Sequence, residues 1–245
     1  MYISRYKESI FSFLRRTYQN KSALTGLVIV VLLSLVALLA PIIAPHDPMA
    51  QNLTNRLQPG FWAGNWLYPL GTDTLGRDIL SRIFYGSRVS LSVGFIAICI
   101  TAVFGIPIGV VAGYFGGKID MVIMRFIDIM LAFPALLLAL ALIGVIGSGL
   151  DKAMIAIGVV YIPKMARIVR GSVLEIKERP FIEAARALGA NNLWLTVRHI
   201  LPNILAPIIV FLSLLLADAI LYAAALGFLG MGVSIPRNNP FVREA

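Results

Sequence analysis

The sequence predicts an all-α membrane protein whose helices cross the bilayer several times. Of its 245 residues, 59% are hydrophobic and only 13% are charged, whereas soluble domains are usually about 45–50% apolar and about 25% charged. The apolar residues form long runs without a charged side chain, and a helix needs about 20 residues to cross a ~30 Å hydrocarbon core. The uncharged runs are residues 22–45, 89–117 and 129–150.

The net charge of +9 reflects the predicted topology rather than a nucleic-acid site. Lysine and arginine collect in the cytoplasmic loops of membrane proteins. If the N-terminus lies inside and the chain crosses five times, 14 of the 21 Lys and Arg residues fall inside and 7 outside. We therefore expect a multi-pass plasma-membrane protein with a cytoplasmic N-terminus, surrounded by membrane lipid and without a nucleic-acid partner.

The N-terminal part of the chain divides into two segments. Residues 1–21 are basic with apolar interruptions, which is typical of an amphipathic segment on the cytoplasmic surface. Residues 22–45 are predicted to form the first transmembrane helix. A cleaved signal peptide is the alternative, but the apolar region of a signal peptide is only about 7–15 residues long.

Residues 46–88 are predicted to form an external loop that contains an amphipathic helix. Trp62, Trp66 and Tyr68 would anchor this loop at the membrane interface. Asp78 could pair with Arg82 one turn later. The apolar face of the helix would contain Leu75, Ile79, Ile83 and Phe84.

The second predicted span carries a stripe of small residues. They recur every four positions, at Ala97, Thr101, Gly105, Gly109, Gly113 and Gly117. Such a face lets two membrane helices approach closely. We therefore interpret the four glycines as a helix-packing face rather than as a ligand site, and we expect Pro107 to bend this helix.

The third and fourth spans are predicted within a core at residues 89–232. Before the third span, Arg125 and Asp128 are three positions apart and could pair on one helix face. Gly144, Gly147 and Gly149 would supply the hairpin that follows. A fifth span would run from about residue 204 to residue 228.

The fourth span has the shortest uncharged run. Only residues 153–163 lack charge between two lysines. The helix must therefore continue through Arg167 and Arg170, whose long side chains would extend to the cytoplasmic interface.

A polar segment separates the fourth and fifth spans. Pro180 suits the first turn of a helix, and Glu183 in that turn interacts favourably with the helix dipole. Three alanines then leave one turn with little side chain, and Gly189 suits a left-handed helix end. The pattern indicates a short docking helix. A solvated connector with Glu183 paired to Arg186 is the alternative.

Residues 183–202 have the pattern E-A-A-x3-G-x9-H-I-L-P. This pattern resembles the EAA loop of permease subunits in ATP-binding-cassette importers, with His199 in place of the usual isoleucine. The resemblance implies that residues 164–203 form a coupling loop whose helix docks into a cleft on a cytoplasmic ATPase. The residues that it assigns to ATPase coupling are Glu183, Ala184, Ala185, Gly189, Leu201 and Pro202.

A second stretch, GTDTLGRDILSRIFYGSRVSLSVG at residues 71–94, resembles the second, C-type permease subunit of dipeptide, oligopeptide and nickel importers. KIDMVIMRFIDIMLAFPALLLALAL and AALGFLGMG match that subunit as well. The resemblance implies the type I ABC importer transmembrane fold, with five spans here of an expected six. It also implies as partners a homologous permease subunit, two ABC ATPase subunits and an external solute-binding protein, with ATP bound by the ATPases and no cofactor on this chain.

Two features depart from the family pattern. Family members continue with a proline-rich turn and a sixth span, whereas residues 233–245 form an atypical tail, which indicates a truncated product with an external C-terminus. Ala223 occupies a position where many relatives carry glutamate, and Asp218 lies about one turn earlier. A carboxylate within the membrane often lines a pathway, but it can equally contact a helix partner, so both interpretations of Asp218 stay open.

Other functions fit the sequence less well. A stand-alone secondary transporter usually has repeated halves and paired ionisable groups, and we find no such repeat. An intramembrane enzyme would need a nucleophile with a base, or a metal set, but His46 and His199 lie at opposite predicted faces. We expect an importer permease without catalytic residues or a metal site; a secondary transporter or a non-functional permease fragment is the alternative.

Overall fold

A computed structural model of the protein describes residues 20–230. The predicted N-terminal segment at residues 1–21, apart from its last two residues, and the tail at residues 233–245 lie outside the described part. Between residues 20 and 230 the chain is helical and forms no β-strand, only one isolated bridge between Thr72 and Asp78. The predicted all-α class is confirmed.

The described residues form two compact units, residues 20–89 and residues 90–230. Short 3-10 turns at Leu53–Asn55 and Phe61–Ala63 lie in the first unit. In chain order the helices are α1 (Lys21–Ile43), α2 (Ile79–Phe115), α3 (Gly117–Leu131), α4 (Ala135–Ile146), α5 (Leu150–Lys177), α6 (Pro180–Ala187), α7 (Asn192–Leu195) and α8 (Leu201–Phe228).

Three helical stretches are long and apolar enough to cross a membrane, namely Lys21–Ile43, Ile79–Phe115 and Asn192–Phe228. Helices α3 and α4 together are also apolar enough, but they are bent by 91° at a short break. The described residues therefore provide three spans, or four if the bent pair counts as one. The predicted number of five is not confirmed, because α5, where the fourth span is predicted, does not meet the same criteria.

A proline explains the break between α3 and α4. Pro134 precedes the first residue of α4, and α3 ends at Leu131. Proline disfavours a helical conformation of the residue before it and cannot donate a backbone hydrogen bond. An unbroken third span over residues 129–150 is therefore wrong. The hairpin after α4 forms at Gly147 and Gly149, whose φ values are 99° and 145°.

The loop between α1 and α2 is held by side-chain hydrogen bonds. The Tyr68 hydroxyl accepts a hydrogen bond from the Asn55 amide at 3.1 Å, and its ring stacks on His46 at 4.8 Å. Tyr68 is consequently buried, so its predicted role as an interface anchor is wrong. Trp62 and Trp66 are 64% and 78% exposed. Of the three predicted anchors, these two therefore remain available to contact the membrane interface.

The helix predicted within residues 46–88 begins only at Ile79, as the first part of α2, and the residues before it form a capped turn. Helix α2 begins at Ile79, and the carboxylate of Asp78 accepts hydrogen bonds from two backbone N–H groups of its first turn. Arg82 pairs with Asp73. The predicted pair of Asp78 with Arg82, and a helical face that includes Leu75, are therefore wrong, because an aspartate at a helix start binds the N–H groups left open there.

Asp73 is the charged centre of this turn. Partial burial opposes its ionisation, but the backbone N–H groups of Arg77 and Leu75 and the guanidinium of Arg77 lower the pKa of the carboxyl to about 2. The pKa of an unfolded aspartate is about 3.9. Ionised Asp73 therefore stabilises the loop above about pH 4, and this stabilisation is lost as the pH falls through about 2.

We expect acid to loosen this loop as the pH falls from about 4 to about 2. In a Trp194→Phe background, the remaining tryptophans are Trp62 and Trp66, both in the loop, so their fluorescence reports on it. Asp73→Asn should alter the emission already at neutral pH and remove the acid-dependent step. The same acid titration with and without Asp73→Asn would contradict the role given to this carboxylate.

In the second unit, α5 packs against α3, α4 and α8. The small face of α2 also lies against α5, where the Thr101 hydroxyl donates a hydrogen bond to the Gly158 carbonyl at 2.8 Å. Side chains of α5 fill the space that the glycines leave. Measured from where a Cβ would stand, the distances to the facing Cβ are 2.8 Å for Gly105 and Met165, 2.7 Å for Gly109 and Val169, and 2.9 Å for Gly113 and Val173.

Gly117 does not belong to this face. Helix α2 ends at Phe115, and Gly116 and Gly117 have φ values of 66° and 53°. These left-handed conformations turn the chain into α3, and no heavy atom lies within 4 Å of a Cβ at Gly117. The predicted packing role of Gly117 is therefore wrong, because the four-residue spacing continues past the end of the helix.

Two arginines of α5 pair with carboxylates of α3. The guanidinium of Arg170 contacts both carboxylate oxygens of Asp120 at 2.5 Å. Arg167 pairs with Asp128. The predicted pair of Asp128 with Arg125 is therefore wrong, since spacing within one helix cannot reveal a partner on another.

Candidate functional site

The short helix α6 begins as the sequence predicts. Pro180 occupies its first turn, where a missing N–H leaves no hydrogen bond unmade. Glu183 lies in the first turn and Arg186 in the last. Both charges interact favourably with the helix dipole, so the local sequence alone favours this helix.

One side chain, Ile182, fixes α6 to the second unit. It is completely buried in a cluster to which α2, α5 and α8 contribute. Burial of an isoleucine is worth about 1.5–3 kcal/mol, which outweighs the small contribution of surface charges. The other members of the cluster are Tyr114, Met165, Val169, Val173, Ile200, Ile204 and Ile208.

The rest of α6 is open to a partner. Glu183 and Ala184 are exposed, and Ala185 is half-buried. Within residues 90–230 no ion pair joins Glu183 to Arg186. Two large apolar side chains follow the helix, and Leu188 is 89% and Leu193 74% exposed. Exposed apolar side chains among polar ones are typical of a protein-interaction surface.

Gly189 ends α6 in a Schellman motif. Its φ is +87°, its N–H donates to the Arg186 carbonyl at 3.0 Å, and the Ala190 N–H donates to the Ala185 carbonyl at 3.1 Å. The two bonds satisfy carbonyl groups that the helix end would leave open. Gly189 therefore sets the direction in which the chain leaves α6.

A widened turn connects α7 to α8. Residues Thr196–Ile200 form a π-helical turn, in which the Leu201 N–H donates to the Thr196 carbonyl. Pro202 follows, and its ring would clash with the carbonyl four residues earlier in a regular helix. Leu201 and Pro202 thus lie in the first turn of α8 and not on α6. Helix α7 separates these two residues from Gly189 along the chain.

Hydrogen bonds that the sequence does not reveal connect Tyr114 of α2 to Asn192 and to Lys177, which lie on either side of α6. The Tyr114 hydroxyl donates to the Asn192 side-chain oxygen at 2.7 Å, and the Lys177 ammonium donates to the Tyr114 carbonyl at 2.6 Å. These pairs are 78 and 63 positions apart. No local pattern could have revealed them.

Asp218 lies apart from this surface, between α8 and α5. Its carboxylate accepts a hydrogen bond from the Tyr161 hydroxyl at 3.1 Å, and the Tyr222 ring stands edge-on to that of Tyr161 at 5.7 Å. Tyr161 is buried, while Asp218 is half-buried. The helix-partner interpretation of Asp218 therefore has a defined contact, and because the residue is only half-buried the pathway interpretation stays open.

Two family models match the chain. The model described as the binding-protein-dependent transport system inner membrane component matches residues 105–239, more than half of the chain. The model described as the N-terminal TM domain of oligopeptide transport permease C matches residues 11–59. The first match includes the whole of α5 to α8, and the second includes α1.

Curated relatives and a solved structure show the same similarity. The chain is 45% identical to a dipeptide transport system permease protein of Haemophilus influenzae, over 89% of this chain and 75% of the relative. It is 39% identical to a glutathione transport system permease protein of Pectobacterium atrosepticum, over 91% and 73%. A chain of the MetNI methionine ABC transporter, inward facing, is similar with a TM-score of 0.53 and 25% identity, over 59% of this chain and 72% of that chain.

Proposed function

We propose that this chain forms a membrane pathway together with a homologous permease subunit. The chain belongs to the family of binding-protein-dependent transport system inner membrane components, and it is a permease subunit of an ABC importer. Two ATPase subunits on the cytoplasmic side and an external solute-binding protein complete the proposed assembly. ATP binds to the ATPases and not to this chain. The N-terminus is cytoplasmic, as the distribution of Lys and Arg favours.

The observation that carries this proposal is the surface of α6. Ile182 anchors the helix to α2, α5 and α8, while Glu183 and Ala184 face outward. A displacement of α6 would therefore be transmitted directly to α2 and α8, which belong to the stretches long and apolar enough to cross the membrane. A partner that binds Glu183 through a cation and covers Leu188 would recognise this surface by charge and by apolar contact.

The solute is proposed to be a dipeptide, an oligopeptide or a similar small molecule. Relatives named as dipeptide permeases and as glutathione permeases align with most of this chain. Glutathione is itself a small peptide, so these names share one chemical class.

Glu183→Lys should weaken ATPase binding by about tenfold or more, since reversal of one interfacial charge usually costs over 1 kcal/mol. The measurement is the amount of ATPase that co-purifies with the tagged permease, together with ATP-driven dipeptide uptake into proteoliposomes. Both quantities should fall, while the amount of permease in the membrane should not change.

Glu178→Lys is the matched control. Glu178 is an exposed carboxylate just before α6, and the change in charge is the same. It should leave ATPase recovery near the wild-type value. Equal recovery for Glu183→Lys and Glu178→Lys would refute the coupling role of α6.

A further inference from the structure

The Asp218 carboxylate lacks a charged partner within its own unit. Between His199 and Pro236 it is the only charged side chain. Within residues 90–230, no lysine, arginine or histidine nitrogen lies within 4 Å of its oxygens. Its hydrogen-bond donor is the neutral Tyr161 hydroxyl. An ionised carboxylate at membrane depth is costly, and such groups usually face a cavity or a pathway.

A helix contact alone does not require this charge. An asparagine at position 218 would accept the same hydrogen bond from the Tyr161 hydroxyl without the cost of burying a charge. What an aspartate adds is attraction for a cation. Asp218 and Tyr222 are also one turn apart on α8, so a cation at the carboxylate would meet an aromatic ring.

The Tyr161 ring already binds an ammonium. The Nζ atom of Lys164 lies 5.0 Å from the centre of that ring, which is within the range of a cation–π interaction. The Tyr222 ring stands edge-on to Tyr161 at an interplanar angle of 84°. Because Tyr161 is buried and already paired with Lys164, the ring that remains open to a further cation is that of the half-buried Tyr222. A carboxylate beside an electron-rich ring is the composition that protein sites use for ammonium groups.

We propose that Asp218 and Tyr222 form a binding site for the protonated amino group of the transported solute, and that the hydrogen bond from Tyr161 positions the Asp218 carboxylate. The proposal rests on the proposed function, and it narrows the solute to molecules with a free ammonium group, as at the N-terminus of a peptide. The N–H donors of that ammonium would bind the Asp218 carboxylate, and the Tyr222 ring would stabilise its charge.

A labelling experiment tests the site without any need for transport. Carbodiimide modifies carboxyl groups in apolar surroundings, and mass spectrometry measures the loss of the unmodified peptide that contains Asp218 in the purified transporter, so that an amide formed between the activated carboxyl and an added amine also counts as labelling. Dialanine amide, which has a free ammonium, should slow the labelling roughly fivefold. N-acetyl-dialanine amide, which has the same backbone without the charge, should have no effect.

Substitutions separate binding from a structural contact. Tyr222→Phe should keep the protection by dialanine amide, and Tyr222→Leu should lose it, since only the former has a ring. Asp218→Asn keeps an acceptor for Tyr161, so it should retain ATPase subunits but take up dipeptides with a free amino group several-fold more slowly.

Three results would overturn the site: no labelling of Asp218, equal protection by the two amides, or wild-type uptake by Asp218→Asn. Failure of the coupling proposal would look different. It would appear in ATPase recovery with Glu183→Lys and would leave the labelling of Asp218 unchanged.

Discussion

Gly109→Leu should separate α2 from α5. It should lower the free energy of unfolding of the purified protein by about 3 kcal/mol, the upper end of the range for overpacked cores. A Cβ at this position would lie 2.5 Å from the Ala166 carbonyl oxygen and 2.7 Å from the Val169 Cβ. The Ala166 atom belongs to the backbone of α5, so it cannot move aside by a change of rotamer. Thermal unfolding in detergent measures the effect.

Gly171→Leu is the control for this substitution. Gly171 lies in α5, the same helix that Gly109 contacts, but no heavy atom would lie within 4 Å of its Cβ. Leucine is also the better helix former by about 1 kcal/mol. Gly171→Leu should therefore be neutral or stabilising, and comparable losses for both variants would contradict close packing of α2 on α5.

Gly189→Val should disorder the end of α6 and reduce ATPase recovery without loss of membrane insertion. The φ of +87° at this position is open to glycine, whereas a β-branched residue is strained there. Strain of this kind costs on the order of 1–3 kcal/mol. That is comparable with the burial of Ile182, so the chain would leave α6 in another direction.

Gly189→Asn separates backbone conformation from side-chain size. Asparagine tolerates the left-handed conformation better than other residues with a side chain, and no heavy atom lies within 4 Å of a Cβ at Gly189. Gly189→Asn should therefore retain most of the ATPase. If Gly189→Asn and Gly189→Val reduce ATPase recovery equally, ATPase binding does not depend on the left-handed conformation at this position.

Local patterns predicted the parts of the structure that local physics determines. The start of α6 at Pro180 and its end at Gly189 depend on backbone chemistry that a few residues specify. The small face of α2 was visible because helical spacing repeats along the chain. The prediction is wrong at Gly117 because periodicity carries no information about where a helix ends. Here the end of α2 depends on the positive φ of two consecutive glycines.

Contacts between distant segments could not be predicted in this way. Asp128 binds Arg167, 39 positions away, instead of the nearby Arg125. Asp73 takes Arg82 because the carboxylate of Asp78 is already used by the first turn of α2. In each case a local pair was possible, and the tertiary arrangement offered a better partner.

The sequence predicts the short helix α6, but it does not predict how α6 is attached to the other helices. The residues Glu183 to Gly189 carry a pattern that can be read directly. The burial of Ile182, by contrast, requires the cluster formed by three other helices. The sequence analysis does not predict the π-helical turn before Pro202, although a proline inside the continuous helical stretch Asn192–Phe228 is a signal for such a distortion.

A site-specific cross-link tests the central claim most directly. The single cysteine, Cys99, is first replaced by serine, and new cysteines are placed at Ala184 on α6 and at Ser148 in the hairpin between α4 and α5. Both positions are exposed. In the assembled transporter, a short bifunctional reagent should join Ala184→Cys to an ATPase subunit and should not join Ser148→Cys. Cross-linking from Ser148→Cys but not from Ala184→Cys would contradict the assignment of α6 as the ATPase-binding helix.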